Sequence, residues 1–277
     1  MMTPLIVSNA DLEPVLAAHH GTRAFTEALE QTATSEDLLR VLGRYIHFNS
    51  VFGGCVARLA GSIALEQSLF RDRDDSLEIT EDRSTEVAAP VFLAAVDEFG
   101  DQSTPARSTH RTLAQATLKA AGEFFGHEPT MLNRIVTINR ITHLAIQEIC
   151  GGYYVPAIGG AWVASPMGFH LGSERLADEE FRILDRYLRT MHPRLVEHLE
   201  RTHVTSGGNN HPAYHWVATH ATVERVHAEL ALDAVNFALK YCVKSKSDVL
   251  SFKDAIIEGF IDFCHVQTGF MEHIADT

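Results

Sequence analysis

Three histidine–carboxylate constellations in the sequence could do chemistry. The first is His220, Glu224 and His227, spaced His-x3-Glu-x2-His. At 100° per residue, positions i, i+4 and i+7 fall within about 60° of one another on a helix, so two imidazoles and one carboxylate leave it along one stripe. Val217 and Val223 beside the stripe, with Leu230 and Ala231 one turn on, set it next to the apolar face. Imidazole nitrogen with carboxylate oxygen is the ligand set of non-heme iron. The same spacing also suits a polar helix face in a chain with 16 histidines. The zinc-protease pattern His-Glu-x-x-His is absent.

The second constellation is Asp97-Glu98-Phe99-Gly100-Asp101 with His110 downstream. Glu98 closes one predicted helix and His110 opens the next, so a helix–loop–helix corner brings them together. Asp97 and Glu98 also read as a solvated helix end, and His110 as a surface residue. The third is Glu174, which follows a segment, 149–173, without a single Asp, Glu, Lys or Arg. A buried carboxylate needs a partner, and a metal would supply one. Glu174 reads equally as a first-turn glutamate favoured by the helix dipole behind a Ser173 cap. Glu66, at the end of the most apolar early helix, is a candidate of the same kind.

The elements that must position these residues read as helices. Apolar positions in 23–48 recur at three and four residues, and Ser35 before Glu36 and Asp37 looks like an N-cap dividing that stretch in two. Residues 50–70 are apolar on most faces and read as a central helix. The run 71–83, with Arg71, Asp72, Arg73, Asp74 and Asp75, reads as a solvated connection to a helix over 85–99 capped by Ser84. A polar loop over 100–108 precedes helices at 109–125 and 131–149. The uncharged 149–173 segment is interrupted by six glycines and two prolines, so it reads as a buried irregular turn and not as a membrane span. Further helices are predicted at 173–192, 212–241 and 248–274, with Ser206-Gly207-Gly208-Asn209-Asn210 breaking the pattern between the first two. Strand signals are nearly absent. The expectation is an all-α bundle in one domain over 1–277, with 1–20 peripheral and 200–211 a loop insertion.

Composition narrows the function classes. The 277 residues, 45% hydrophobic and 21% charged, are enough to bury one substantial core. A net charge of −13 disfavours nucleic acid and anionic membranes as partners. Cys55, Cys150, Cys242 and Cys264 lie far apart, which excludes a Cys-x-x-Cys zinc module and gives no sign of a disulfide scaffold. That usage, with no basic-then-apolar leader at the N-terminus, points to a reducing cytoplasm.

Taken in order, the motifs resemble the heme-oxygenase-like diiron oxidases, the iron-containing redox enzyme family. Val96-Asp97-Glu98-Phe99-Gly100-Asp101 with His110 is similar to that family's Glu-Phe-Gly stretch and following histidine. Residues 168–181 resemble the helix that supplies another glutamate. The closing motif usually reads His-x3-Asp-x2-His; here its middle residue is Glu224. The resemblance spans about residues 50–240. It implies a seven-helix heme-oxygenase-like bundle without heme, holding two iron ions. One iron would take Glu98, His110 and His227. The other would take His220 and Glu224, with Glu174 and Glu66 as bridging or terminal carboxylates and Glu148, Glu179 or Glu180 as substitutes for Glu174. It further implies an enzyme that uses O2 and an electron donor to N-hydroxylate, desaturate or cleave a C–C bond of a small, amino-acid-derived or fatty-acid substrate, within a biosynthetic pathway and as a homodimer. A shell of Phe99, Tyr153, Phe169 and Trp216 would exclude water, and Arg111, Lys119 or Arg140 would receive a substrate carboxylate. Two other readings keep the helices without the metals: a thiaminase-like hydrolase or cofactor-free oxidase working by acid–base catalysis, and a non-catalytic helical binding protein.

Overall fold

The computed structural model describes residues 5–72, 83–101, 103–157, 160–243 and 245–276, with the backbone but not the side chains of residues 222–224 and 246. Twelve α-helices lie among the described residues: α1 (Asn9–Ala18), α2 (Gly21–Glu30), α3 (Ser35–Asn49), α4 (Phe52–Ala64), α5 (Arg83–Phe99), α6 (His110–Phe124), α7 (Pro129–Ile135), α8 (Arg140–Gly152), α9 (Ala164–Met191), α10 (Pro193–Arg201), α11 (His215–Tyr241) and α12 (Lys246–Met271). The all-α expectation holds, apart from one antiparallel hairpin, β1 (His203–Ser206) and β2 (Asn209–Pro212). No described helix is long and apolar enough to cross a membrane.

The interior is built on α9, the longest helix, which packs along both α11 and α12, while α5 lies between α4 and α11. The approach of α9 to α12 depends on two glycines. A Cβ on Gly168 would stand 1.8 Å from the Ile256 carbonyl oxygen, and one on Gly259 would stand 2.0 Å from that of Ser165. Only hydrogen at both positions lets the two backbones touch. Below this crossing, aromatic rings fill the core: Phe169 meets Phe263 edge-on at 5.1 Å, and Phe181 meets Trp216 at 5.0 Å. The N-terminal segment is anchored to α11 and α12, with Val7 and Leu12 buried, Val7 bonded to Asn236, and Asp11 paired with Lys253 at 2.7 Å.

Several local readings of the sequence are corrected. The cap of α3 is Thr34, not Ser35: its hydroxyl accepts the Asp37 amide, and the Asp37 carboxylate answers it. Ser84 is not a cap; it lies inside α5 and donates to the Ala64 carbonyl, tying that helix to the end of α4. The stretch 131–149 is two helices, because Asn139 stops one turn and caps the next by accepting from Thr142. The 50–70 helix ends at Ala64, so Glu66 sits in the turn beyond it. Most of the solvated connection, residues 73–82, lies outside the described residues. The supposed irregular turn over 149–173 is mostly helix: α8 runs to Gly152 and α9 begins at Ala164. Ser173 is therefore in mid-helix, donating to the His170 carbonyl, and caps nothing. The 200–211 insertion contains the end of α10 and most of the hairpin, whose turn is Gly207–Gly208 with φ of +58° and +83°. Two left-handed residues in succession make the tight turn that matches strand twist, and glycine adopts them without steric cost.

Candidate metal centre

The corner between α5 and α6 is shaped by its own loop. Asp101 accepts from Ser103 in the loop and pairs with His215 Nε2 at 2.7 Å, at the start of α11. Ser108 shares a 2.7 Å hydrogen bond with His211 Nδ1 on the hairpin, and Thr109 caps α6 by accepting from Thr112. These ties bring the last turn of α5, the first turn of α6 and one face of α11 to the same place.

Three ligand-bearing side chains meet there. One donor atom from each of Glu98, His110 and His220 lies within 4.8 Å of the others. His110 Nδ1 stands 2.9 Å from Glu98 Oε1, and His220 Nε2 stands 4.0 Å from the same oxygen. Both imidazoles are buried, and their ring centroids are 4.3 Å apart. The Trp216 carbonyl accepts from His220 Nδ1 at 2.7 Å, which leaves Nε2 as the lone-pair nitrogen facing Glu98. A carbonyl that fixes the far nitrogen of an imidazole is the usual support of a metal-binding histidine. Phe181 stacks on the other face of the His220 ring at 4.3 Å.

A looser chain of donors continues from this cluster. Asp97 Oδ2 lies 3.6 Å from His110 Nε2 and 3.5 Å from His227 Nε2. His227 Nδ1 lies 3.8 Å from Glu174 Oε2, and Glu174 Oε1 lies 3.4 Å from His170 Nδ1. Tyr153 Oη bonds Ser173 at 2.7 Å and His170 Nδ1 at 3.2 Å. His220 and His227, seven residues apart, thus face adjacent carboxylates of α5, which is what a single helical stripe requires.

Of the seven ligands expected from sequence, Glu98, His110 and His220 converge, and Glu174 and His227 adjoin them. The pairing differs from the expected one: His220, not His227, joins Glu98 and His110. The Glu224 side chain lies outside the described residues. Glu66 is fully buried but belongs neither to the three-donor cluster nor to the wall of the cavity described below. Among the substitutes for Glu174, Glu148 and Glu179 are exposed. Glu180 is buried and accepts from Tyr45 Oη and Gln267 Nε2, both at 2.9 Å. Sequence reasoning missed Asp97, taken for a solvated helix end, and His170. The signal for His170 was the i, i+4 spacing to Glu174, unread because its segment was assigned to a turn.

Electrostatics favour a cation. Burial by itself would raise the Glu98 carboxyl, but the charge and hydrogen bond of His110, joined by those of His220, outweigh it and hold the group well below the usual carboxylate range. A divalent ion coordinated by Glu98 would favour its ionised form in the same way. Burial, with the charge of His227, pushes the His170 imidazole down to about 3, so it is neutral at pH 7. Its Nε2 is buried and makes no hydrogen bond among the described residues. A neutral imidazole is a donor suited to a metal, and the nitrogen it turns toward Glu174 is Nδ1, which Tyr153 Oη also meets.

The cluster opens on a cavity of about 560 Å³, within the range of sites for small organic molecules. Glu98, His110, Glu174, Glu180 and His220 reach its wall, together with Phe52, Tyr153, Trp216 and Phe263. Tyr153, Phe169 and Trp216 are buried as the aromatic shell required, but Phe169 does not line the cavity and Phe99, which does, is 58% exposed. Of the cations considered for a substrate carboxylate, Arg111 lines this cavity; Lys119 lines a separate one, and Arg140 lines neither. Arg58, stacked over Tyr154 at 4.4 Å, was not foreseen and also reaches the wall. Comparison with protein-family models and with curated proteins gives no match.

Proposed function

We propose that this chain is an oxygen-dependent non-heme oxidoreductase that holds iron at the α5–α6–α11 junction and oxidises a small organic substrate in the adjoining cavity. The observation that carries the reading is the Glu98–His110–His220 cluster, continued through Asp97, His227, Glu174 and His170 and open to a cavity of substrate size. Glu98, His110 and His220 would hold ferrous iron, which would supply the activation of dioxygen.

The remaining chemistry belongs to the chain. The Trp216 carbonyl and the Phe181 ring hold His220 in one orientation. Trp216, Phe52 and Phe263 wall the cavity with apolar surface, limiting water at the reacting position. Arg58 and Arg111 offer positive charge to an acidic substrate group, as an amino or fatty acid would present. Tyr45 and Gln267 direct both Glu180 oxygens, fixing a carboxylate at the cavity wall.

A heme-oxygenase-like diiron centre would use both halves of the donor chain. A mononuclear centre is the second reading, and one specific observation favours it: the tight cluster is by itself a two-histidine, one-carboxylate set. Anaerobic loading with ferrous iron, followed by metal analysis and exposure to oxygen with a panel of amino and fatty acids, tests all of this. Two irons per chain with oxygen consumption supports the dinuclear form, and one iron the mononuclear form. Failure to retain iron above the level of a Glu98→Ala/His220→Ala variant sinks both.

A further inference from the structure

The cavity wall carries a pair of thiols that the proposed metal chemistry does not use. Cys55, in the first turn of α4, and Cys150, in the last turn of α8, are almost a hundred residues apart in sequence, yet their sulfur atoms lie 4.0 Å apart. Both line the cavity, beside Tyr153 and Arg58. Cys150 is exposed and Cys55 half-buried, whereas Cys242 and Cys264 are buried elsewhere. At that separation the two sulfurs are within hydrogen-bonding reach of each other. Burial and the neighbouring sulfur push the Cys55 thiol up to about 12, so it keeps its proton. One sulfur is thus accessible, and the other is held beside it as a thiol. That is the arrangement of an attacking and a resolving cysteine.

We propose that Cys55 and Cys150 are a peroxide-sensitive pair that closes to a reversible disulfide across the cavity wall and restricts entry to it. The Cys150 thiolate attacks one oxygen of hydrogen peroxide, the O–O bond breaks, and hydroxide leaves, giving a sulfenic acid. The Cys55 sulfur then attacks the Cys150 sulfur. The S–O bond breaks, and the hydroxyl group leaves as water with the Cys55 proton. Together the two thiols lose two electrons, and one peroxide becomes two waters. A disulfide holds its sulfurs about 2 Å apart, so closure draws α4 toward α8 by roughly the difference from the present contact. A disulfide of this kind is compatible with a reducing cytoplasm, where such bonds are transient and regulatory. The inference does not depend on bound iron, because the oxidant is supplied from outside.

The test treats the metal-free full-length protein with a small excess of hydrogen peroxide, then maps peptides without reduction. The expected result is a Cys55–Cys150 cross-linked peptide, loss of two hydrogens from the intact mass, and reversal by dithiothreitol. A Cys55→Ser variant should instead stop at a sulfenic acid on Cys150 that dimedone traps. The oxidised wild type should bind 8-anilinonaphthalene-1-sulfonate, an aromatic anion small enough for the cavity, at least threefold more weakly than the reduced protein, and Cys150→Ser should lose that difference. Cross-links to Cys242 or Cys264, dimers joined through Cys150, or overoxidised Cys150 beside an intact Cys55 thiol would overturn the pairing. Unchanged dye binding in the cross-linked protein would overturn the restriction of entry.

Discussion

Replacing Gly168 by alanine should loosen the molecule where α9 crosses α12. The added methyl would lie 1.8 Å from the Ile256 carbonyl oxygen and 2.9 Å from its Cα. A carbon–oxygen contact is comfortable at about 3.3 Å, so the helices must part by roughly 1.5 Å. The obstruction is backbone, and no rotamer change relieves it. Overpacking of this kind costs about 1–3 kcal/mol, and a rigid obstacle places it at the upper end. Alanine returns about 1 kcal/mol through its better helix propensity. The net loss is then about 2 kcal/mol, which for a chain of this size lowers the melting temperature by roughly 4–8 °C. Gly61→Ala, in α4 with nothing within 4 Å of its Cβ position, is the control and should gain up to about 1 kcal/mol. Thermal melts by circular dichroism, with urea unfolding for free energies, read both variants. Because His170 and Glu174 follow Gly168 within two turns, ferrous iron should also bind Gly168→Ala more weakly. A Gly168→Ala protein as stable as wild type, with Gly61→Ala behaving as stated, would refute the close approach and the register of α9 that rests on it.

The other predictions concern the site. His110→Ala removes a nitrogen from the tight cluster, so a dinuclear protein should fall toward one iron per chain, lose oxygen-dependent turnover and lose metal-dependent thermal stabilisation; two retained irons with full activity would exclude His110 as a ligand. In metal-free protein the His170 imidazole is depressed to about 3 from 6.5, so the unfolded chain binds the extra proton. Its contribution to stability is complete above pH 6.5 and is lost as pH falls toward 3, with a slope of up to about 1.4 kcal/mol per pH unit, and His170→Gln should flatten urea midpoints over that window. Glu180→Gln turns an amide N–H toward one of the donors on Tyr45 and Gln267 and should cost about 1–3 kcal/mol in urea unfolding. No loss would mean that both donors find other acceptors.

How much of this was legible in the sequence depended on whether the signal was local. The His220-x3-Glu224-x2-His227 spacing placed two imidazoles on one stripe before any fold was known, because a helix fixes the angles between its own residues. Glu98 and His110 were legible as the two ends of one short loop. The first part of α9, residues 164–172, was hidden although the rest was predicted as a helix: Gly168 and Gly172 read as breakers, whereas their role is to let α12 approach, which depends on a partner about ninety residues away. The same misreading concealed His170 and invented a cap at Ser173. Asp97 was set aside because a helix end read from sequence cannot show that α11 packs beside it. The hairpin was missed because Gly207–Gly208 is flanked by polar residues and not by an alternating apolar pattern, and its order comes from packing on α6 and α10. The pairing of His220 with Glu98 required the relative height of α5 and α11, which no spacing encodes.

The loop clamp joining Asp101 and Ser103 to His215 spans 114 and 112 residues of chain. Contacts of that reach form late, because the entropy of closing the intervening loop is lost before they return anything. The donors on α5 and α6 are made first during synthesis, and α11 follows only after α7 to α10. A ribosome-bound intermediate therefore presents Glu98 and His110 without His220 or His227, a pair of donors too few to retain iron. On the proposed function, metal capture would wait until α11 has been made, so the ion would act as a late seal on packed helices and not as a seed for their folding.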